Sequence, residues 1–449
     1  MAKIDTRRAG AGNLLKRAAS RLARNRYHQI ADLLSRLRMR RRATPEKTYE
    51  IVLPEGFGAA RARIRLCVPK MPGGHVYAFS EDGRSEAYNG IDRVVACTRG
   101  GFAYSEDRGL NWKAVRLKPF ARFPMVRSRL LPNGEILLVA ADPDSRDPWA
   151  DRGNRLIVAD LLGNILHAEK MQGPGWHGPR AVDVSGETLM YAEYPWNGDR
   201  DDCDAAHATS RVWRSRDFGR SWHAVFEQKS VRHFHYLQAR PGVAGEWWLT
   251  SGDAPAESRI WKSSDDGDTW IDQTDTFGSS ITIGDCKFSR SVFRLTDLVW
   301  AGDDIIWGSD DALNDAVEVA GGFAPEPSRG SRLFRADPSR GIAPTVLGLC
   351  GPEVRNIVDL GKFYVVMTQS SPHFANNMPR VFLLSKPTAG CDPVLVHLFD
   401  IDRFSNDRSA FTSSIASRCS GNGVFFTYRR PTDVFRAPDR ILRWQVEFE

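Results

Sequence analysis

The sequence predicts an all-β fold, specifically a β-propeller, and two observations carry the prediction. Three segments read Ser-x-Asp-x-Gly-x-(Asn/Ser/Thr)-Trp, at 105–112, 215–222 and 263–270, and each follows a short strand-like stretch. An Asp side chain can accept backbone N–H bonds across a tight turn, and Gly adopts a backbone conformation that other residues resist. The second observation is that units of similar layout repeat along the chain, as the blades of a propeller do.

The spacing of these segments sets the number of units. An Asp follows a strand again at Asp160 and Asp337, and the strands predicted at 381–386 and 441–444 hold the same place without the motif. The chain therefore predicts seven units of roughly 50 residues, with six blades as the alternative, because propellers close with four to eight four-stranded blades. A strand within 51–69 is expected to close the ring with the last blade.

The first 44 residues differ in composition from the rest. Residues 1–44 hold 13 Lys or Arg and two Asp, a net charge of +11, so residues 45–449 carry about −4 of the total of +7. Leu, Ile and Ala recur at three- and four-residue spacing, which predicts a basic amphipathic helical arm ahead of a propeller domain over 45–449. Such an arm contacts an anionic membrane surface or a protein partner, resembles a transit peptide in composition, or is a solvated, partly disordered tail.

The remaining composition excludes several classes of protein. The acidic body gives no basis for nucleic-acid binding, and no apolar stretch is long enough for a transmembrane helix. No apolar core follows the N-terminal charges, so no secretory signal is expected and the predicted location is cytoplasmic, peripheral to a membrane where the arm binds one. The seven cysteines are odd in number and form no Cys-x-x-Cys pair, which predicts reduced thiols rather than disulfides or a zinc site.

The three motif segments resemble the Asp-box, or BNR, repeats of the sialidase superfamily, over about 90–275 of this chain. The resemblance implies a propeller whose repeats lie at blade edges, away from the substrate face. Sialidases hold the substrate carboxylate with three arginines, the first in an Arg-Ile-Pro motif that opens a blade, and Arg122-Phe123-Pro124 is similar to it. The resemblance therefore implies that Arg122 binds substrate. The chain departs from the family pattern because a motif segment precedes Arg122 and the other two arginines have no clear match.

A closer likeness is to bacterial BNR-repeat proteins of unassigned activity, often described loosely as glycosyl hydrolases. They share three kinds of short segment with this chain, matched here at 192–194, at 233–235 followed by 251–253, and at 307–310. This likeness implies the same superfamily and supplies no reaction. Fold does not by itself imply function.

Polar residues that open a unit are candidate site residues, because the first strand of each propeller blade lines the central channel. Such openings occur at 176–180, 232–236, 294–297, 355–356 and 411–414. His233 and His235 are two residues apart on a strand and are therefore expected to point the same way. The predicted catalytic residues are Glu193, His233, His235 and Asp310. The predicted substrate-binding residues are Arg122, Arg180, Tyr194, Tyr236, Trp307 and Arg355.

These candidates also have structural interpretations. Two histidines two residues apart can form half of a metal site, but no third ligand is evident, so the sequence predicts no metal and no cofactor and favours hydrogen-bonded histidines. Arg180 and Arg355 can be ion-pair partners in the channel, and Glu193 can pair with an arginine. For Trp307, packing within a blade is the ordinary role.

The candidates together predict a carbohydrate-active propeller that acts on or binds an acidic polysaccharide or glycoconjugate. As an enzyme it would be of the glycoside hydrolase or uronide lyase type, in which arginines hold the sugar acid while a carboxylate and a His or Tyr move protons. The alternative is a non-catalytic scaffold or glycan-binding protein that is tethered by its basic arm. The expected partner is therefore an acidic carbohydrate.

Overall fold

The computed structural model describes most of the chain from Lys47 onward, and the predicted arm over 1–44 lies outside the described residues. These are 47–54, 57, 59, 61–67, 76–79, 93–107, 109–143, 154–173, 175–176, 181–194, 209–252, 256–277, 281–283, 286–288, 290–310, 317–319, 322–323, 330–339, 344–369, 379–387, 393–400, 411–419, 422–429 and 441–449. No helix in these ranges is both long and apolar enough to cross a bilayer.

Two strands precede the blades, and they are β1 (Lys47–Val52) and β2 (Arg61–Cys67). Blade 1 contains β3 (Val76–Phe79), β4 (Val94–Thr98), β5 (Gly101–Ser105) and β6 (Lys113–Arg116). Blade 2 contains β7 (Met125–Leu130), β8 (Ile136–Ala140), β9 (Arg155–Ala159) and β10 (Ile165–Lys170). Blade 3 contains β11 (Val182–Ser185), β12 (Thr188–Ala192), β13 (Ser210–Ser215) and β14 (His223–Gln228). Blade 4 contains β15 (Phe234–Ala239), β16 (Trp247–Ser251), β17 (Arg259–Ser263) and β18 (Ile271–Asp272).

The second half of the ring has two insertions. Strands β19 (Ile281–Ile283) and β20 (Cys286–Phe288) precede blade 5, which opens with β21 (Leu295–Ala301) and β22 (Asp304–Ser309). Strands β23 (Val317–Val319) and β24 (Gly322–Phe323) follow, and blade 5 ends with β25 (Ser331–Ala336) and β26 (Thr345–Gly351). Blade 6 contains β27 (Val354–Asp359), β28 (Phe363–Thr368), β29 (Arg380–Ser385) and β30 (Leu395–Asp400). Blade 7 opens with β31 (Phe411–Cys419), β32 (Asn422–Arg429) and β33 (Ile441–Phe448).

The blades form a ring, which confirms the predicted seven-bladed all-β propeller. The first strands of neighbouring blades contact each other, for example β15 with both β11 and β21, so these strands line the central channel. The seven third strands, from β5 in blade 1 to β33 in blade 7, are the ones that the repeated layout of the sequence predicts. Short 3-10 helices at Lys118–Phe120, Thr274–Phe277 and Arg290–Phe293 lie in the connections between blades.

Strands from both ends of the described chain close the ring. In blade 7, β2 pairs antiparallel with β33, from Ala62 opposite Phe448 to Cys67 opposite Arg443, and β1 adds a fifth strand outside it. The strand predicted within 51–69 is therefore confirmed as the closing strand. Because the fourth strand of blade 7 comes from the opposite end of the chain, the ring cannot open without separating these two strands.

The core lies between blades rather than within any one of them. Buried apolar side chains in the described ranges form clusters that are each shared by neighbouring blades. One such cluster joins Tyr236 and Trp248 of blade 4 to Trp307 and Phe334 of blade 5. Large aromatic side chains fill the wedge between two twisted sheets because each of them buries a large apolar area.

The three motif segments form the hairpins between the third and fourth strands of blades 1, 3 and 4. In blade 3, Asp217 Oδ1 accepts hydrogen bonds from the backbone N–H of Ser221 at 2.9 Å and of Arg220 at 3.0 Å. The indole N–H of Trp222 donates to the Gly219 carbonyl at 3.1 Å, and Gly219 has a φ of +87°. The equivalent bonds occur around Asp107 and Asp265. These side chains satisfy their own turns, so they belong to the scaffold.

Replacing Asp217 with alanine is expected to lower the free energy of unfolding by about 2 kcal/mol, because several hydrogen bonds of about 1 kcal/mol each lose their acceptor. Burial alone would raise the pKa of Asp217, but hydrogen bonds from Ser221 and Ser215 outweigh it and lower the pKa to about 2. Urea unfolding at neutral pH measures the change. Glu187→Ala, an exposed acid in the same blade, is the matched control and should change stability little. Equal effects of the two substitutions would contradict this role for Asp217.

The two insertions form a small sheet of their own, in which β20 pairs with β23. One hairpin enters between blades 4 and 5, and the other enters between β22 and β25 of blade 5. In an antiparallel blade, the connection from the second to the third strand and the connection between blades emerge on the same face. Both insertions therefore leave from the face on which the first strands begin.

Candidate functional site

The face where the first strands begin is also the face where the second strands end, because neighbouring strands of a blade are antiparallel. We call it the mouth face. Glu193 and Tyr194 directly follow β12, and His233 and His235 stand at the start of β15. Across the next two blades, the residues at this face are Arg294 before β21, Asp310 after β22 and Arg355 in β27. Four adjacent blades thus supply polar side chains to one arc of the mouth.

Two of these side chains, His235 and Arg355, lie where the pairing between the first and second strands of a blade is irregular. The register between β15 and β16 shifts between Phe234 and Tyr236, so His235 lies at a bulge. The register between β27 and β28 shifts in the same way between Val354 and Asn356, which places Arg355 at the equivalent position. Bulges redirect a side chain and are frequent beside functional sites.

His233 and His235 form a facing pair at the start of blade 4. Their Nε2 atoms are 3.0 Å apart, and both side chains are buried. The Tyr194 ring stacks on the His233 ring with the ring centres 3.8 Å apart. Among the histidines that the structure describes, only these two are buried. The pair is therefore packed in place, with its two Nε2 atoms in contact with each other.

Glu193 lies next to Tyr194 in the chain, but its carboxylate is bound to the third strand of its own blade. The Trp213 indole N–H donates to one carboxylate oxygen at 2.8 Å, and the Arg211 backbone N–H donates to the other at 3.0 Å. Burial is the largest influence on the pKa of Glu193 and raises it from 4.5 to about 7, against the opposing effect of the Trp213 hydrogen bond. The Glu193 backbone carbonyl also accepts the Phe234 N–H at 3.1 Å. Glu193 therefore supports the start of β15.

The connection from blade 2 to blade 3 packs against this carboxylate. A Cβ on Gly173 would lie only 1.9 Å from Oε1 of Glu193, so glycine is the residue that leaves room for the carboxylate. Gly175 accepts a hydrogen bond at its carbonyl from the Tyr194 N–H at 3.0 Å. Glu193 and Tyr194 thus contact three elements: strand β13, the connection from blade 2 to blade 3, and the start of β15, which carries the histidine pair.

A second cluster lies across blades 5 and 6. Asp310 is buried, and its Oδ2 atom lies 3.3 Å from an Arg355 terminal nitrogen and 3.8 Å from Nε of Arg294. The Arg355 side chain is 27% exposed and that of Arg294 is 29% exposed, whereas Asp310 is 4% exposed. A buried carboxylate therefore forms ion pairs with two partly exposed guanidinium groups. Arg355 Nε also donates to the Gln369 side-chain carbonyl at 2.6 Å.

The histidine pair and the arginine cluster are neighbours. Phe234, which lies between the two histidines, pairs with Ser251 at the end of β16. The next residue, Gly252, lies against Arg294, because a Cβ there would lie 2.8 Å from Cγ of that arginine. The end of β16, which pairs with the histidine-bearing strand β15, therefore leads through Gly252 directly to Arg294.

Two predicted substrate-binding residues lie in the core instead. The Trp307 side chain is fully buried, and its N–H donates to the Val292 carbonyl at 2.8 Å. Tyr236 is also fully buried, and its hydroxyl lies 3.4 Å from the Leu298 carbonyl oxygen. Neither side chain has exposed surface with which to contact a ligand. The prediction that Trp307 and Tyr236 bind substrate is therefore corrected: both pack between blades.

Two further predicted residues lie away from both clusters or outside the described residues, and two residues of the arginine cluster were not predicted. Arg122 is exposed in the connection from blade 1 to blade 2, and Arg180 lies outside the described residues. Arg294 and Gln369 belong to the arginine cluster but were not predicted as site residues. Arg294 opens a polar stretch in the sequence, which is a usable signal, whereas Gln369 follows an apolar strand and gives none.

Within the described ranges, no group of three or more His, Cys, Asp or Glu side chains is arranged to hold a metal ion. Cys67, Cys97 and Cys350 are free thiols, and burial raises the pKa of Cys97 and of Cys350 to about 12. These two thiols are therefore unreactive packing residues.

Comparison with known proteins places the fold. No protein-family model matches the sequence, and no curated protein matches it. Among solved structures, an oligogalacturonate lyase in complex with manganese is 12% identical, with a TM-score of 0.51 over 91% of this chain and 98% of that one. YCF48 bound to D1 peptide is 11% identical, with a TM-score of 0.46 over 88% of this chain and 96% of that one. The mitotic checkpoint complex contains a chain that is 8% identical, with a TM-score of 0.48 over 90% of this chain and 95% of that one. The likeness is one of fold.

Proposed function

We propose that the mouth face binds an acidic saccharide and acts on it. The observation that carries the proposal is the convergence of Arg294 and Arg355 on one buried carboxylate, Asp310, beside a buried histidine pair. Each guanidinium group has five N–H donors in a planar fork that matches the geometry of a carboxylate. The two arginines are partly exposed and held in place, so they suit an anionic group that arrives from solvent.

The arrangement favours elimination over hydrolysis within the proposed carbohydrate chemistry. Glycoside hydrolysis commonly uses two carboxyl groups that flank the scissile bond. Here Glu193 is bound by Trp213 and Arg211, and Asp310 is bound by the two arginines. A uronide lyase instead needs cations that neutralise the sugar carboxylate while a base takes the proton from the neighbouring carbon and the glycosidic C–O bond on the next carbon breaks, its oxygen leaving with a proton. An Nε2 atom of the histidine pair is the base that we assign to this step. Arg294 and Arg355 suit the neutralisation of the carboxylate, so an acidic polysaccharide built from uronic acids is the substrate class we propose.

The test is a panel of acidic and neutral polysaccharides, with binding measured by calorimetry and cleavage measured by the ultraviolet absorbance of an unsaturated product. Arg355→Gln should weaken binding of the acidic members by about tenfold or more, because a charge-assisted bond contributes about 1.5–3 kcal/mol. Arg216→Gln, at an exposed arginine in the blade 3 hairpin on the opposite face, is the matched control and should bind as the parent does.

The outcomes separate the alternatives. Acidic polysaccharides that bind equally to the parent and to Arg355→Gln would overturn the assignment of the mouth. Binding that depends on Arg355 without any cleavage would favour the glycan-binding alternative. The fold is shared with the oligogalacturonate lyase and with non-enzymatic propellers, so only the measurement distinguishes these two functions.

A further inference from the structure

A third arginine lies at the mouth face, one blade before the arginine cluster. Arg232 stands two residues before β15, just as Arg294 directly precedes β21 and Arg355 lies at the start of β27. The Arg232 side chain is 45% exposed. Three successive blades therefore each supply one partly exposed arginine where their first strand begins. We call Arg232, Arg294 and Arg355 the arginine row.

The arginines of the row are held in a similar way. In each blade, the Nε atom faces a side-chain oxygen of a residue in the connection that follows the second strand of the same blade. The pairs are Arg232 with Glu257 at 3.1 Å, Arg294 with Asp310 at 3.8 Å and Arg355 with Gln369 at 2.6 Å. A contact at Nε orients a guanidinium group and leaves the N–H donors of its terminal nitrogens for other partners. In Arg232, neither terminal nitrogen takes part in the pair with Glu257.

The row runs from blade 4 to blade 6 through direct contacts. The backbone carbonyl of Glu257 accepts the Ser251 hydroxyl at 2.5 Å, so the residue that holds Arg232 is fixed to the end of β16. The next residue along the chain, Gly252, packs against Arg294. Arg294 in turn shares one buried carboxylate with the arginine of blade 6. A ligand held at the arginine cluster can therefore extend towards Arg232 along the mouth face.

We propose that Arg232 forms a second anionic subsite, which binds a carboxylate on another residue of the same saccharide chain whose first carboxylate is held by Arg294 and Arg355. The inference rests on the proposed function and specifies its ligand as an oligosaccharide with at least two acidic residues. The planar fork of a guanidinium group matches the geometry of a carboxylate. Because the second contact forms within one bound molecule, it raises affinity by effective concentration, so chain length should control binding.

The charge around the row favours a saccharide with separated carboxylates over a nucleic acid or an anionic membrane. Glu257 and Asp310 offset much of the positive charge of the three arginines. Residues 45–449 also carry a net charge of about −4. A nucleic acid presents a phosphate at every nucleotide and is bound by surfaces with an excess of Lys and Arg. The row instead offers a few donors at fixed places, which suits single carboxylates at intervals.

The experiment measures affinity against ligand length on the full chain. The probes are uronate oligomers of one to six residues, prepared from alginate and from pectate, with calorimetry for the longer oligomers and ligand-observed NMR for the monosaccharide. The parent should bind the hexamer of its preferred series at least tenfold more tightly than the monosaccharide. Arg232→Gln should weaken the hexamer about tenfold and leave the monosaccharide unchanged, whereas Arg355→Gln should weaken both.

Two further variants serve as controls. Arg216→Gln removes an exposed arginine that pairs with Asp268 at 3.4 Å in the hairpins of the opposite face, and it should bind every oligomer as the parent does. Arg232→Lys keeps the charge but not the planar fork, so its affinity for the hexamer should lie between those of the parent and Arg232→Gln. Circular dichroism and thermal unfolding of each variant establish that it folds.

The failures of the two proposals are distinguishable. Affinity in the parent that does not depend on oligomer length, or hexamer binding that survives Arg232→Gln, would overturn the second subsite and leave the acidic-saccharide site in place. If no uronate oligomer binds in a manner that depends on Arg355, both proposals are wrong. Single-stranded DNA or phosphatidylserine vesicles that bind through Arg232 as tightly as the hexamer would show that the row is not a saccharide subsite.

Discussion

Replacing Asp183 with alanine is expected to lower the free energy of unfolding by about 3–5 kcal/mol, the range seen when one member of a buried ion pair is removed. Asp183 lies on β11 and pairs with Arg129 on β7, and both side chains are only 5% exposed. Its other oxygen accepts the Ala239 N–H of β15 at 3.1 Å. One carboxylate therefore joins the first strands of blades 2, 3 and 4, and its loss leaves a buried guanidinium without this ion pair.

Chemical denaturation at neutral pH measures the effect of Asp183→Ala. The double variant Arg129→Met/Asp183→Leu should recover a large part of the loss, because replacing a buried pair with apolar residues is often neutral or stabilising. Comparing the single with the double variant separates the cost of leaving the Arg129 charge buried without Asp183 from the cost of lost packing. A single variant that costs less than about 1 kcal/mol, or a double variant less stable than the single one, would show that the pair is not central to the ring.

The second large effect concerns pH. Glu193 has a folded-state pKa of about 7, raised mainly by burial, against an ordinary value of 4.5. The folded protein therefore binds this proton more tightly than the unfolded chain does. The stability from the protonated carboxyl is fully present below about pH 4.5 and is lost as the pH rises through about 7. The difference between the two pKa values corresponds to about 3 kcal/mol.

Glu193→Gln should remove this contribution, so the stability of the variant should fall less steeply than that of the parent between about pH 5 and pH 8. The variant should also be destabilised throughout, because the amide NH2 faces one of the two N–H donors, from Trp213 and Arg211, that the carboxylate accepts. Urea unfolding at a series of pH values measures both effects. Glu187→Gln, at an exposed acid in the same blade, should keep the slope of the parent. Parallel slopes for the parent and Glu193→Gln would refute the raised pKa.

The repeat determined how much of the fold the sequence could predict. The motif segments around Asp107, Asp217 and Asp265 identify the third strand of a blade, and counting from them gives both the seven blades and the first strands that line the channel. The motif is local chemistry within one hairpin, so it is visible in a single sequence. The small sheet of β19, β20, β23 and β24 was not predicted, since its strands are two or three residues long and pair across an inserted segment.

The sequence predicted where several candidate side chains lie better than it predicted their contacts. His233 and His235 converge as their spacing predicts, and Asp310 and Arg355 meet although 45 residues separate them. Trp307 lies next to a polar stretch in the sequence, but alternation along β22 turns it into the wedge between blades. The carboxylate of Glu193 binds Trp213 of the same blade, a contact fixed by pairing of β12 with β13 that no local pattern reveals.

The closure of blade 7 has a consequence for the order in which the protein can be made. During translation, β2 emerges early with β1 as its partner along one edge, and its other edge has no partner until β33 leaves the ribosome at the other end of the described chain. An unpaired strand edge invites association with other chains, and charged side chains along it discourage this. Arg63 and Arg65 lie on β2, and in the closed ring they pair with Glu449 at 2.6 Å and Glu447 at 2.9 Å. The arginines that discourage association of the unpaired edge are thus matched in charge to the glutamates of the late segment that completes the blade.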